Sequence, residues 1–205
     1  MSIQVPEYHD EVRARRRRLV GHLYGLHAKL ESGNAYQAAE ARRTLAQLRR
    51  SLTGPQYEAE AYAAVFPFDP PQAEQQAWIL VAGLYATHPR PRPRSAPGKG
   101  SRSLGTSIRT LVAERPSAER RFLQLLAVDR TSLPYYLRQT VRLLSTADIP
   151  LDYDRLLDDV VTLMHKGADP ERVHRVRLNW ARDFHRPAPS NAAPSPAAPA
   201  ASPTN

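Results

Sequence analysis

The 205 residues carry 29 Lys+Arg against 20 Asp+Glu, a formal net charge of +9, with 41% hydrophobic and 24% charged side chains. That balance suits one large or two small globular domains, and the absence of cysteine excludes disulfides, Cys-based zinc sites and thiol nucleophiles. No apolar run reaches the roughly 18–20 residues of a membrane span, and the basic block Arg13–Arg18 interrupts any leader-like stretch, so a soluble, cytoplasmic protein with no membrane contact is expected.

The first predicted helix runs from about Glu7 to Glu31, with Leu19, Leu23, Leu26 and Leu30 in one apolar row. The arginine block lies in its first half. Like charges so close oppose a helix unless an anion screens them, and the favoured reading of this block is a solvated or disordered one, with nucleic-acid contact the alternative. Ser32-Gly33-Asn34 ends the helix. A second helix, about Ala35–Leu52, turns Leu45, Leu48 and Leu52 inward. It aligns Arg42 with Arg49 and Arg43 with Arg50, since each pair is seven residues apart. Gly54-Pro55 is a break, and Pro55 opens a short helix through Val65 that carries Tyr57, Tyr62 and Phe66. After Pro70-Pro71, residues 72–87 form a helix apolar on most sides, with Trp78, Leu80, Val81, Leu84 and Tyr85. That pattern marks a buried central element, and the aromatics here are expected in the core.

Residues 88–102 (HPRPRPRSAPGKGSR) hold four prolines, two glycines and five basic residues without an acid. They are expected to form an extended, solvated basic linker, and Lys99 and Arg102 within it are candidate phosphate contacts. Beyond it, Leu104, Ile108, Leu111 and Val112 keep helical spacing, as do Phe122, Leu125 and Leu126, then Leu137, Val141 and Leu144. Ser103, Ser117 and Ser132 stand at the three helix starts. Arg109, Arg120, Arg121, Arg130, Arg138 and Arg142 stand around these rows, the last two sharing one face. Asp152 can cap a further helix ending near Gly167. Asp169-Pro170-Glu171 is a helix-start signature for a last helix with Val173, Val176, Trp180 and Phe184 in a row. Arg172, Arg175 and Arg182 lie on another side of it. From Pro187 the chain is Pro, Ala, Ser, Asn and Thr only, a composition that predicts a disordered tail.

No segment alternates as a strand. The expectation is an all-α protein of two helical bundles, 1–87 and 103–186, joined by the Pro/Arg-rich linker 88–102 and followed by the tail 187–205. Its cationic charge is clustered. Residues 13–50 hold ten basic and two acidic side chains and residues 90–142 hold twelve and three, whereas 51–89 has four acids and no base. Biased codon composition can explain why 26 of 29 cations are Arg, but not the clustering, which points to polyanion-facing surfaces.

No reaction chemistry is apparent. Asp152, Asp154, Asp158 and Asp159 lack the glycine turn and closing glutamate of a calcium loop. They are read as a cap and a solvated face offset by Arg155 and Lys166. The histidines form no metal spacing, no serine sits in a nucleophile elbow, and no cofactor pattern occurs. What remains is binding, for which the planar guanidinium fork suits phosphate. No groove-reading module is present, so sequence-independent handling of a strand is expected.

The order and spacing of SLGTSIRTL, ERRFLQLLAVDR, LRQTVRLLS, LDYDRLLDDVVTL (151–163) and VRLNWARDF (176–184) resemble the CasB family, the small subunit of the type I-E CRISPR effector complex Cascade; RRTLAQLRR resembles its first basic helix. The resemblance implies a non-catalytic subunit, paired with a second copy and set against the backbone and large subunits. It would help hold guide RNA on target DNA and steady the displaced strand of the R-loop. It carries over Arg109, Arg120, Arg121, Arg130, Arg138 and Arg142, and more weakly Arg42, Arg43, Arg49 and Arg50. Arg121 and Arg130 could instead pair with Glu119 or Asp129. The alternative is a free-standing helical DNA-binding or regulatory protein.

Overall fold

Local chemistry sets most helix boundaries. The computed structural model describes residues 5–92 and 103–186, and no strand occurs among them. α1 (Val5–Leu30) runs unbroken through the arginine block, and α2 (Ala35–Ser51) starts at Asn34, whose side chain accepts from the Gln37 amide. Pro55–Ala61 winds as a 3₁₀ turn rather than the expected α-helix, leading into the four-residue α3 (Tyr62–Val65). Further 3₁₀ turns span Phe66–Phe68 and Gln72–Glu74 before α4 (Gln75–Thr87).

In the second half come α5 (Leu104–Glu114), α6 (Ala118–Ala127), α7 (Leu133–Thr146), α8 (Tyr153–Met164) and α9 (Pro170–His185). Ser103, Asp152 and Asp169 cap as expected, accepting from amides of the first turn. Ser117 and Ser132 occupy cap positions but make no side-chain cap bond. At Ser132 the Asp129 carboxylate accepts the Ser132 amide at 2.7 Å instead. α8 stops at Met164, short of Gly167, where His165 Nδ1 accepts the Gly167 amide.

α4 is the centre. Every residue from Ala77 to Ala86 is buried, because α4 is enclosed by α1, α2 and α3 on one side and by α7 and α8 on the other. Side chains from both halves of the chain thereby join one contiguous core, from Leu19 to Phe184. Two glycines let helices meet within it. A Cβ on Gly83 would lie 2.6 Å from the Leu52 side chain, and one on Gly105 would lie 2.0 Å from the Trp180 carbonyl oxygen.

The start of the expected linker is fastened rather than solvated. His88 is 2% exposed and its Nε2 lies 2.8 Å from the Ile149 carbonyl. A carbonyl only accepts, so Nε2 carries the proton, and burial holds the ring below the ordinary histidine pKa. Tyr85 donates to the Arg90 carbonyl at 2.9 Å, Arg90 pairs with Asp148, and Arg92 pairs with Asp154 at 3.3 Å while lying 4.9 Å above the Tyr24 ring. Tyr24, Tyr85 and Tyr153 meet edge to face between α1, α4 and α8. Residues 93–102, with Lys99 and Arg102, and the tail 187–205 lie outside the described residues.

The arginine block is likewise divided between partners and solvent. Arg16 donates two hydrogen bonds to Glu74, at 2.5 and 2.9 Å, and one to Asp158 at 2.8 Å. Burial disfavours this guanidinium, but the two carboxylates outweigh burial and hold its pKa above the ordinary value. Glu74 also accepts from the Trp78 indole, so one partly buried cation ties α1 to the start of α4 and to α8. Arg15 bridges Glu11 at 2.6 Å and Asp69 at 2.5 Å.

This packing has two measurable outcomes. Gly105→Ala should drive the α5 backbone off α9 and destabilise the chain by about 2–3 kcal/mol or more, seen as a lowered midpoint in denaturant; an unchanged midpoint would contradict the close approach. The second concerns Asp159, which accepts the Trp180 indole at 2.6 Å. Burial pushes its carboxyl up to about 6, opposed by that hydrogen bond and by Arg155. Between about pH 4 and 6 the folded chain therefore keeps a proton that the unfolded chain has released, and this group's contribution to stability falls as pH rises through that window. Asp159→Asn should gain on the order of 2 kcal/mol over wild type at pH 7 relative to their difference at pH 4. Melting curves at the two pH values measure this; a pH-independent difference would assign the carboxylate no role.

Candidate nucleic-acid interface

α2 buries Ala38, Ala41, Leu45 and Leu48, which by helical geometry turns Arg42, Arg43, Arg49 and Arg50 outward; all four are exposed. Arg50 pairs with Glu60 at 3.2 Å and stands 6.0 Å from the Tyr57 ring centroid. Arg42, Arg43 and Arg49 make no ion pair with another described residue. Glu40, the one acid of α2, is instead engaged by Lys29 of α1 at 3.7 Å.

α7 buries Leu133, Leu137, Val141 and Leu144 against the core and crosses to the end of α2. There Arg138 donates to the Leu52 carbonyl, the cap residue of α2. Arg142, one turn on along the same face, is exposed and without an ion pair to another described residue. Two arginine sets expected in separate bundles thus meet at one junction: Arg49 and Arg50 from α2, Arg138 and Arg142 from α7. Arg138 acts as the tie that joins them, and its guanidinium retains further donors.

Other expected positions fall elsewhere. Arg109 is partly buried and donates to the carbonyls of Asp183, at 3.2 Å, and Arg186. Through Nη1 it therefore caps the open end of α9. Arg120 and Arg121 are exposed on α6, away from the α2 junction, and neither pairs with Glu119 or Asp129 among the described residues. Arg130 lies exposed between α6 and α7 with its Nη1 3.5 Å from the Met164 carbonyl.

The acidic cluster is not a solvated face. Asp152 caps α8, Asp158 pairs with Arg16, Asp154 with Arg92, and Asp183 takes Arg155 at 2.9 Å. Burial raises the Asp154 carboxyl above its ordinary value, with Arg92 opposing. Among the described residues no group of three or more His, Cys, Asp or Glu could hold a metal ion, and no helix is long and apolar enough to cross a membrane. Sequence reasoning missed the exposure of Tyr62 and Phe66, which are 38% and 39% accessible and stack on each other. Their spacing of four was the signal for the stack, but nothing nearby marked it as outward.

Residues 44–185 match the family model described as CRISPR-associated protein Cse2. The chain belongs to the Cse2 family. A CRISPR-associated Cse2 protein of Thermus thermophilus is 32% identical over 165 residues, spanning 77% of this chain and 84% of the relative. The crystal structure of a Cse2-family protein from the same organism superposes with a TM-score of 0.56 at 30% identity, over 80% of this chain and 96% of that one. A chain of a CRISPR RNA-guided surveillance complex shares the fold, with a TM-score of 0.60 at 21% identity over 86% and 93% of the two chains. The family match runs from within α2 through α3, α4 and α5 to the end of α9, including the ends of α2 and α7 that form the junction.

The arginines at this junction have separable roles. Arg138→Ala should cost about 1 kcal/mol by removing the donor to Leu52, whereas Arg142→Ala should stay within about 0.5 kcal/mol of wild type. Urea titrations of the two variants decide it; equal losses would mean Arg138 contributes no tie.

Proposed function

We propose that this Cse2-family chain is a non-catalytic subunit of an RNA-guided CRISPR surveillance complex. In this reading it sits beside the guide RNA and target DNA, paired with a second copy and with the backbone and large subunits, and steadies the displaced strand of the R-loop. The observation that carries it is the set of arginines on α2 and α7, Arg42, Arg43, Arg49 and Arg142, exposed without ion pairs to other described residues, on helices tied by Arg138 and held by a common core. Family membership and the fold shared with a surveillance-complex chain support the same reading.

The physical task suits the surface. Exchange of a DNA duplex for a guide–target duplex is nearly balanced, so contacts to the loose strand can tip it. Guanidinium groups on a rigid face supply such contacts through phosphate, with little dependence on sequence. Arg120, Arg121 and Arg130 would extend the cationic surface on the α6 side, and Lys99 and Arg102 belong to the same proposal from the segment after Arg92. Arg109 belongs to it through the donors that the two Nη1 bonds at α9 leave over.

Salt titration of single-strand binding tests this directly. Each phosphate contact adds about −0.7 to the slope of log K against log salt for a single strand. The triple variant Arg43→Ala, Arg49→Ala, Arg142→Ala should therefore make the slope shallower, less negative by about 2, while melting like wild type. Co-expressed with the neighbouring genes, the wild-type chain should enter an RNA-containing particle. An unchanged slope would remove the junction from the strand's path; exclusion from the particle would favour the free-standing regulatory reading.

A further inference from the structure

At the start of α4, between α3 and the ends of α6 and α8, lies an open groove of about 640 Å³ that none of the contacts above fills. One wall is aromatic. The rings of Tyr62 and Phe66 lie 4.6 Å apart, inclined by only 9°, and both are more than a third exposed. Its lining is also cationic: Arg130 comes from the α6–α7 connection, with Nη1 3.5 Å from the Met164 carbonyl, and Lys166 from just past α8, both exposed and neither in an ion pair with another described residue. Gln76 also lines the groove, and its amide can both donate and accept. Glu58 is the one carboxylate in the lining.

We propose that this groove is a base-stacking site for an unpaired nucleic-acid strand, with bases laid on the Tyr62–Phe66 pair and phosphates on Arg130 and Lys166. A flat, water-exposed aromatic pair offers the surface on which any base can stack whatever its identity. Cations in the same lining match the phosphates of a strand whose bases point at the aromatic pair. A duplex keeps its base faces buried and cannot use the wall, so the groove selects single strands, which a purely cationic face does not. The charge decides between occupants: a lining with two cations against one carboxylate favours a polyanion over an apolar protein segment. The inference rests on the reading of the chain as a nucleic-acid-binding subunit, but its stacking residues are separate from the α2–α7 arginines, so the two can fail independently.

The test uses the full chain with a fluorescent oligothymidine of about 15 nucleotides, long enough for one such site, and a duplex of the same length. Tyr62→Leu with Phe66→Leu keeps apolar bulk and removes the rings. Single-strand affinity should fall about tenfold or more, with duplex affinity unchanged. Glu58→Gln should strengthen single-strand binding about twofold. On the wild-type chain, an oligonucleotide carrying 5-iodouracil should photocross-link to Tyr62 or Phe66, an observation independent of how the variants fold. If the leucine variant melts like wild type and binds single strands equally well, while the triple arginine variant loses them, the groove is overturned and the junction stands. If the wild-type chain binds neither strand nor duplex, both proposals fall. Cross-links confined to α2 and α7, or a leucine variant that changes the protein's molecular mass in solution instead of its strand affinity, would also overturn the groove, the latter marking it as a contact between copies.

Discussion

The structure depends on α4 being enclosed on every side. Ten consecutive buried residues leave that helix no polar face, so it can exist only where neighbours from both halves of the chain close around it. The tyrosine cluster and the His88–Ile149 and Arg16–Glu74–Asp158 ties hold that closure at its ends. Because the core is common to the halves, a helix of the first half and a helix of the second can present arginines to the same strand without a hinge between them. The family's function, as proposed, asks for that: a fixed cationic face rather than a pair of mobile modules.

Arginine serves two purposes here, and the structure separates them by what lies within reach. Arg16, Arg109, Arg138, Arg155 and Arg177 reach carboxylates or backbone carbonyls of other elements and join them. Partly buried pairs of this kind hold register as much as they add stability, because breaking one partner leaves the other desolvated. Arg42, Arg43, Arg49, Arg120, Arg121 and Arg142 extend from faces where no described acid comes within ion-pair distance. Much of the net charge of +9 therefore lies outward.

Much of this was legible in the chain. Helical spacing of Leu45 and Leu48, of Leu137, Val141 and Leu144, and of Trp180 and Phe184 names faces that are buried, and Ser103, Asp152 and Asp169 announce their helices through cap chemistry that needs only the next turn. Periodicity names a face but not the neighbour across it. Hence Arg109 and Arg138, on cationic-looking stretches, could not be told from Arg142, although partners 74 and 86 residues away engage the first two. Arg16 reads as solvated for the same reason, its two carboxylates lying 58 and 142 residues distant. Tyr62 and Phe66 escaped because Pro55–Ala61 winds at about three residues per turn rather than 3.6, which rotates the next residues of the chain relative to an α-helical projection.

A helix that needs both halves around it also has a history during synthesis. α4 ends at Thr87 and α8 begins at Tyr153, 66 residues later (153 − 87). At about 5–20 residues per second, the ribosome takes roughly 3–13 seconds to deliver the missing wall. Throughout that interval Trp78, Val81 and Leu84 are only half covered, so the nascent first half is a natural client for holding chaperones, and slow translation of the second half would lengthen its exposure to aggregation.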